Sequence, residues 1–138
     1  MDEQQDIDSY IYFLKKANLY LKNYGLLTRE LALEECRKDN YPNLPSRKEA
    51  IWLCEKEQIK YWKQQLYLEN ISMNLYKLSV EGELFKTNAQ LIPNKQLSYK
   101  EIYERALKYW NPDLYKLPKK SIEYLFKGKI KILKKTQI

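Results

Sequence analysis

The chain reads as an α+β fold, with helices at the front and a small, mostly antiparallel sheet assembly behind. Three observations predict this class. Apolar residues recur at spacings of three and four before Gly25, over 55–68 and again after Ser98. Short runs that alternate apolar and polar residues, rich in aromatic and β-branched side chains, occupy 75–80 and much of 122–133. Prolines and glycines punctuate these segments.

The elements follow in order. Ile7, Tyr10, Ile11, Leu14, Ala17 and Leu21 predict a helix over 7–23, which Gly25 ends. Thr28 is positioned to cap a second helix running to about Lys38, with Leu27 and Leu31 on one side. Pro42 and Pro45 close it and hold Tyr41-Pro42-Asn43-Leu44-Pro45-Ser46-Arg47 extended. Ala50-Ile51-Trp52-Leu53-Cys54 reads as a short buried strand. A helix over 55–68 presents Ile59, Trp62 and Leu66 on one face. Leu75-Tyr76-Lys77-Leu78-Ser79-Val80 predicts a strand, Glu81-Gly82 a tight turn, and Glu83 to Leu91 the returning strand. Pro93 and Asn94 break that pattern. Ser98-Tyr99-Lys100-Glu101 has capping-box spacing before Ile102, Ala106 and Tyr109, and Pro112 stops the helix. Ile122 to Phe126 and Lys129 to Leu133 read as two short strands, or as one strand bent near Gly128.

Composition narrows the function classes. The 138 residues amount to one domain's worth of sequence, with 44% hydrophobic residues and a core that needs no disulfide or metal. Within it, 1–26 reads as a helical N-terminal extension. No apolar run approaches the ~20 residues of a membrane span. The acidic start is unlike a secretory signal peptide, and Cys36 and Cys54 form no CxxC. A cytoplasmic protein with reduced thiols is therefore expected, with Cys54 packed inertly in its buried run. There is no histidine, which removes the Ser/His/Asp triad, the Cys/His dyad and most zinc sites. No metal is expected, and no phosphate-loop, dinucleotide or metalloprotease spacing occurs.

The net charge of +7 resides at one end. Residues 116–138 hold eight lysines and a single acid, Glu123, while 1–115 are balanced at 17 basic and 17 acidic residues. Lys127, Lys129, Lys131, Lys134 and Lys135 could meet nucleic acid or another partner through phosphate contacts. Equally, they could be the lysines of an edge strand that discourage pairing with a second chain. Arg47, in its proline-rigid loop, has the guanidinium fork that holds a phosphate or carboxylate, or else pairs with an acid such as Glu49 or Glu55. Glu123, surrounded by lysines, is expected to stay ionised, either as a functional carboxylate or in a surface ion pair with Lys119 or Lys127. Of the adjacent Tyr61 and Trp62, Trp62 fits the apolar face. Tyr61 is left to line a groove or to lie at the surface. Tyr109-Trp110 would anchor the end of its helix in the core.

Several spaced motifs together resemble a small uncharacterised bacterial domain family. Glu34-Glu35-Cys36-Arg37 carries its E-x-x-R, Tyr41 to Arg47 its F-P-x-x-P-S-R, and Ala106-Leu107-Lys108-Tyr109-Trp110 its A-x-x-Y-W. The resemblance extends over roughly 27–135, and so defines a family-like region, 27–138. That family in turn looks like a distant branch of the ADP-ribosyltransferase superfamily, which binds NAD between two small antiparallel sheets. Glu123-Tyr124-Leu125-Phe126 resembles the strand that begins with the catalytic glutamate of the poly-ADP-ribose polymerases. The resemblance implies NAD as substrate and Glu123 as the carboxylate that steadies an oxocarbenium-like centre. It also implies Arg47 at the pyrophosphate, with Ser46 in the same turn. Tyr61 is the match for the aromatic that stacks on nicotinamide, with Trp62 as its rival.

The chain departs from that superfamily at its front. The first strand there brings a histidine or arginine to the adenosine ribose. Here there is no histidine, the front reads as helix, and Arg29 and Arg37 fall on predicted helices. Two readings follow. One is ADP-ribosyl transfer from NAD to a protein or nucleic acid. The other is a catalytically degenerate relative, of phage or mobile-element type, that binds a macromolecular partner. Nucleic-acid contacts through the basic C-terminus are compatible with either.

Overall fold

The computed structural model describes residues 25–92, 95 and 97–138. The predicted helix over 7–23 and the break at Pro93 and Asn94 lie outside these. Three α-helices and a three-stranded antiparallel sheet make up the described part, which is α+β. They are α1 (residues 25–40), β1 (Ile51–Leu53), α2 (Ile59–Gln65), β2 (Asn74–Asn88), α3 (Tyr99–Trp110) and β3 (Ile122–Gln137). Thr28 lies inside helix α1, so it does not cap the helix start, while the predicted stop before Gly25 falls outside the described residues. Its end lies just before the proline loop, as the two prolines require.

The strand order is β1–β3–β2, with β3 in the centre. Strand β1 covers only the start of β3, through Ile51 opposite Phe126 and Leu53 opposite Tyr124. Beyond Phe126 the sheet continues as a long two-stranded β2–β3 ribbon. The predicted hairpin at Glu81-Gly82 is thus not there. Residues 74–88 form one strand, and its antiparallel partner is β3. Gly82 lies directly opposite Gly128, with φ of 150° and 152°. The two glycines serve a close approach of backbones rather than a turn. Of the two arrangements expected for 122–133, the single strand is the one observed.

The core sits at one end of this ribbon. Leu33 and Cys36 of α1, Ala106, Tyr109 and Trp110 of α3, and Leu125 of β3 form it with Ile92. Phe85 stacks on Trp110 from β2, and Trp110 Nε1 donates to the Leu33 carbonyl at 2.8 Å. The aromatic pair at the end of α3 therefore anchors that helix, as expected. Ser98 caps α3, its Oγ accepting from the Glu101 N–H at 3.2 Å and donating to the Glu101 carboxylate. No helix among the described residues is long and apolar enough to cross a membrane.

Two burial expectations are corrected. The run 50–54 is an edge strand, not a buried one. β1 pairs on one side only, Ile51 and Trp52 are nearly half exposed, and Cys54 is exposed rather than packed. The helix expected over 55–68 is a 3₁₀ turn, Lys56–Gln58, followed by the shorter α2. The chain leaves it through Tyr67 at φ 57°, and Leu66 faces outward instead of joining Ile59 and Trp62.

Candidate functional site

The motif residues converge on the proline loop. Glu34 and Arg37, one helical turn apart, form a two-bonded ion pair at 2.7 and 3.1 Å. The remaining face of the Arg37 guanidinium donates to the carbonyls of Pro42 and Leu44, both at 3.0 Å. Ser46 Oγ donates to Glu34 Oε2 at 2.8 Å. The loop is thereby wrapped around an ion pair of α1, and the Arg37 bonds hold Glu34 below the usual carboxylate range. Ser46 is one of the loop's fastenings.

This fixes Arg47 against the sheet. Its Nε and Nη2 donate to the two Glu30 oxygens at 2.9 and 3.0 Å. Its Nη1 donates to the Tyr109 hydroxyl at 2.7 Å and to Glu123 Oε1 at 3.2 Å. Tyr109 donates in turn to Glu123 Oε1 at 2.6 Å. The Arg47 guanidinium also lies 5.1 Å from the centre of the Trp52 ring and 5.3 Å from that of Tyr109. Burial alone would raise Glu30, but the Arg47 bonds and charge outweigh it and leave it lowered. Burial first, and then the Glu123 charge, drive Tyr109 well above the usual phenol value. Tyr109 is therefore a donor throughout the physiological range.

Sequence reasoning singled out Arg47 and Glu123, and the fold brings them together. It mistook their ordinary partners. Glu49 takes Lys127 at 2.8 Å, Glu55 accepts from Tyr124, and neither contacts Arg47. Glu123 is paired with Arg47 and Tyr109, not with Lys119 or Lys127. Nor is it at the surface, being only 5% exposed. Tyr61 and Trp62 stand apart from this cluster. Trp62 Nε1 donates to the Ile122 carbonyl at 3.3 Å, while the Tyr61 ring packs edge-on against Trp62 and meets Lys120.

The Tyr124–Glu55 bond yields a testable pH effect. Burial, and then that bond, push the Tyr124 phenol up to about 12. A raised phenol value means the folded chain holds its proton longer than the unfolded one. Its contribution to stability is full below the unfolded value of about 10 and lost as pH rises through the folded value. Stability of wild type minus that of Tyr124→Phe, from urea unfolding at stepped pH, is expected to fall across the window from about 10 to 12.

Open volume lies elsewhere. A groove of about 1210 Å³ runs between β1 and α2 on one side and the β2–β3 ribbon on the other. Its lining includes Ile59, Leu75, Leu78 and Val80, together with Trp52 and Tyr76, which are 46% and 45% exposed. Five lysines line it against one acid, Glu69. Of the C-terminal lysines expected to contact a partner, only Lys134 belongs to it. Lys127 is paired with Glu49 and faces Glu83, and Lys129 faces Glu81, so these two have carboxylates beside them. Lys131 faces Ser79 and Lys135 faces Tyr76.

Glu30 and Trp52 escaped the sequence reading because only the loop's path brings them to Arg47. Lys56, Lys60 and Lys63 did carry a signal. Their spacing of four and three places them on one helical face. No group of three or more potential metal-ligating Cys, Asp or Glu side chains occurs among the described residues.

No curated protein matches the chain. The match to an uncharacterised family runs over residues 3–138 and so takes in every element described above, including the loop and both clusters. It begins well before residue 27, where the motif resemblance starts. The chain belongs to the family described as "Protein of unknown function (DUF2441)".

Proposed function

We propose that this protein acts by binding a macromolecular partner in its open groove and does not transfer ADP-ribose. The observation that carries this reading is the separation of the carboxylate from the open volume. Glu123 is enclosed, with Oε1 engaged by Arg47 and Tyr109. The groove is lined by neither Glu123 nor Arg47. A carboxylate that steadies a reacting ribose must come within hydrogen-bond reach of it. Arg47 is similarly engaged, with two carboxylates and a phenol already on its fork.

The second reading, ADP-ribosyl transfer with Glu123 as the catalytic carboxylate and NAD as substrate, is favoured by one observation. Arg47 and Glu123, 76 positions apart, approach to 3.2 Å. In that reading Arg47 exchanges a carboxylate for the pyrophosphate, and Tyr61 or Trp62 meets the nicotinamide.

Calorimetric titration of NAD into the wild type and Glu123→Gln, together with an assay of NAD turnover, separates the two. The partner-binding reading expects no saturable NAD binding and no turnover. Turnover by the wild type that vanishes in a folded Glu123→Gln protein would overturn it and establish the transferase.

A further inference from the structure

We infer that the groove between α2 and the β2–β3 ribbon is a binding site for single-stranded nucleic acid, gripped by lysines on both walls and stacked on Trp52 and Tyr76. The inference deepens the partner-binding reading and rests on it. Lys60 and Lys63, one turn apart on α2, and Lys56, in the 3₁₀ turn before it, line one wall. Lys77 and Lys134 border the groove from the ribbon, directly opposite each other across the β2–β3 pair, and Tyr76, next to Lys77, projects from the ribbon's other face, so a strand that meets all three passes over the outer edge of β2. Like charges at directly opposed positions destabilise a sheet. Among the described residues none of these five lysines has an ion-pair partner. A polyanion laid between the walls relieves that repulsion and engages the facing row.

The ribbon is shaped locally for this. The register shifts between Lys77 and Leu78, leaving Leu133 as the extra residue beside Lys134. Such a bulge re-aims neighbouring side chains and strengthens local twist. The aromatic rings decide between polyanions. An acidic peptide needs only the lysines, whereas unpaired bases have π-faces that stack on exposed rings. Trp52 and Tyr76 both line the groove with nearly half of their surface open. The volume of about 1210 Å³ exceeds the usual range for small-molecule pockets and suits a short length of polymer.

The test is fluorescence anisotropy with labelled oligo-dT and oligo-U of about 12 nucleotides, a matched duplex and a polyglutamate peptide. If all five lysines engage phosphates, log affinity falls against log salt with a slope of about −3.5. That is roughly a hundredfold loss between about 50 and 200 mM. Lys60→Glu/Lys134→Glu, on two exposed positions facing each other across the groove, is expected to weaken single-strand binding at least tenfold and to flatten the slope. Lys100→Glu/Lys108→Glu on α3 changes net charge equally and is expected to leave the affinity within about twofold. Tyr76→Ala is expected to cost roughly tenfold on single strands, the loss of one stacked base. The wild-type preferences need no variant to fold. No single-strand binding at low salt, equal or tighter binding of duplex or polyglutamate, or equal losses in the groove and α3 double variants would each overturn the inference. Those failures leave the partner-binding reading standing. Glu123-dependent NAD turnover would overturn that reading and leave these affinities unchanged.

Discussion

Arg47→Ala is expected to lower the free energy of unfolding by about 3–5 kcal/mol, the range seen when one partner of a buried ion pair is removed. The Arg47 side chain is only 10% exposed, and its guanidinium serves α1, α3 and β3 at once. Its loss leaves Glu123 buried with the Tyr109 hydroxyl as its remaining hydrogen-bond donor among the described residues. Glu30 contributes less to the loss, because its side chain is 35% exposed and water can replace the guanidinium. Arg47→Lys is expected to be nearly as damaging. A single ammonium cannot span both Glu30 oxygens while also reaching Tyr109 and Glu123. The combined variant Arg47→Met/Glu123→Leu is expected to be more stable than Arg47→Ala, since no carboxylate is then left buried at position 123 without its guanidinium. Urea unfolding followed by far-ultraviolet circular dichroism measures all three. A cost below about 1 kcal/mol for Arg47→Ala would mean that water reaches Glu123 freely. That result would remove the main objection to a catalytic role for the carboxylate.

The parts of this molecule that were legible in its sequence are those set by neighbours along the chain. The cap at Ser98 and the apolar face of α3 depend on spacings of three and four, so they are visible without the fold. The end of α1 before Pro42 is visible for the same reason. Distant partners decided what was misread. Gly82 has the local signature of a turn, and only the strand arriving from 40 positions later shows that it faces Gly128. The run 50–54 has the composition of a buried strand, but β1 acquires a neighbour on one side alone. Burial of a strand is a property of the sheet, and the strand's own residues do not contain it. Arg47 and Glu123 are chemically notable in the sequence, but the acids and lysines nearest them there are not their partners. The actual partners come from α1 and α3. For the groove, the lysine row on the helix was readable, but its facing pair depends on a shifted register between β2 and β3.

That register is the subject of the second large effect. Gly128→Ala is expected to open the outer half of the ribbon while the core around Trp110 stays folded. A Cβ at Gly128 would lie 2.4 Å from the Glu81 carbonyl oxygen and 2.9 Å from the Gly82 Cα, at φ 152°. The positive φ alone costs about 1–3 kcal/mol in any residue with a side chain. The clash adds to it and is with backbone, so no rotamer relieves it. Gly82→Ala meets the Lys127 carbonyl oxygen at the same 2.4 Å, so substituting both glycines compounds the fault. Because β1 covers β3 only as far as Phe126, strands beyond the glycine pair lose each other without a third strand to hold them. Local opening is therefore less costly than global unfolding. Hydrogen exchange is expected to accelerate in 74–81 and 129–137 and to remain slow in 122–126. Unchanged protection in the outer ribbon would refute the tight glycine contact. Lys77 and Lys134 lie beyond this contact, on the part of the ribbon that opens. The same substitution is thus expected to weaken single-strand binding while leaving the Arg47–Glu123 cluster, on the other side of Gly128, in place.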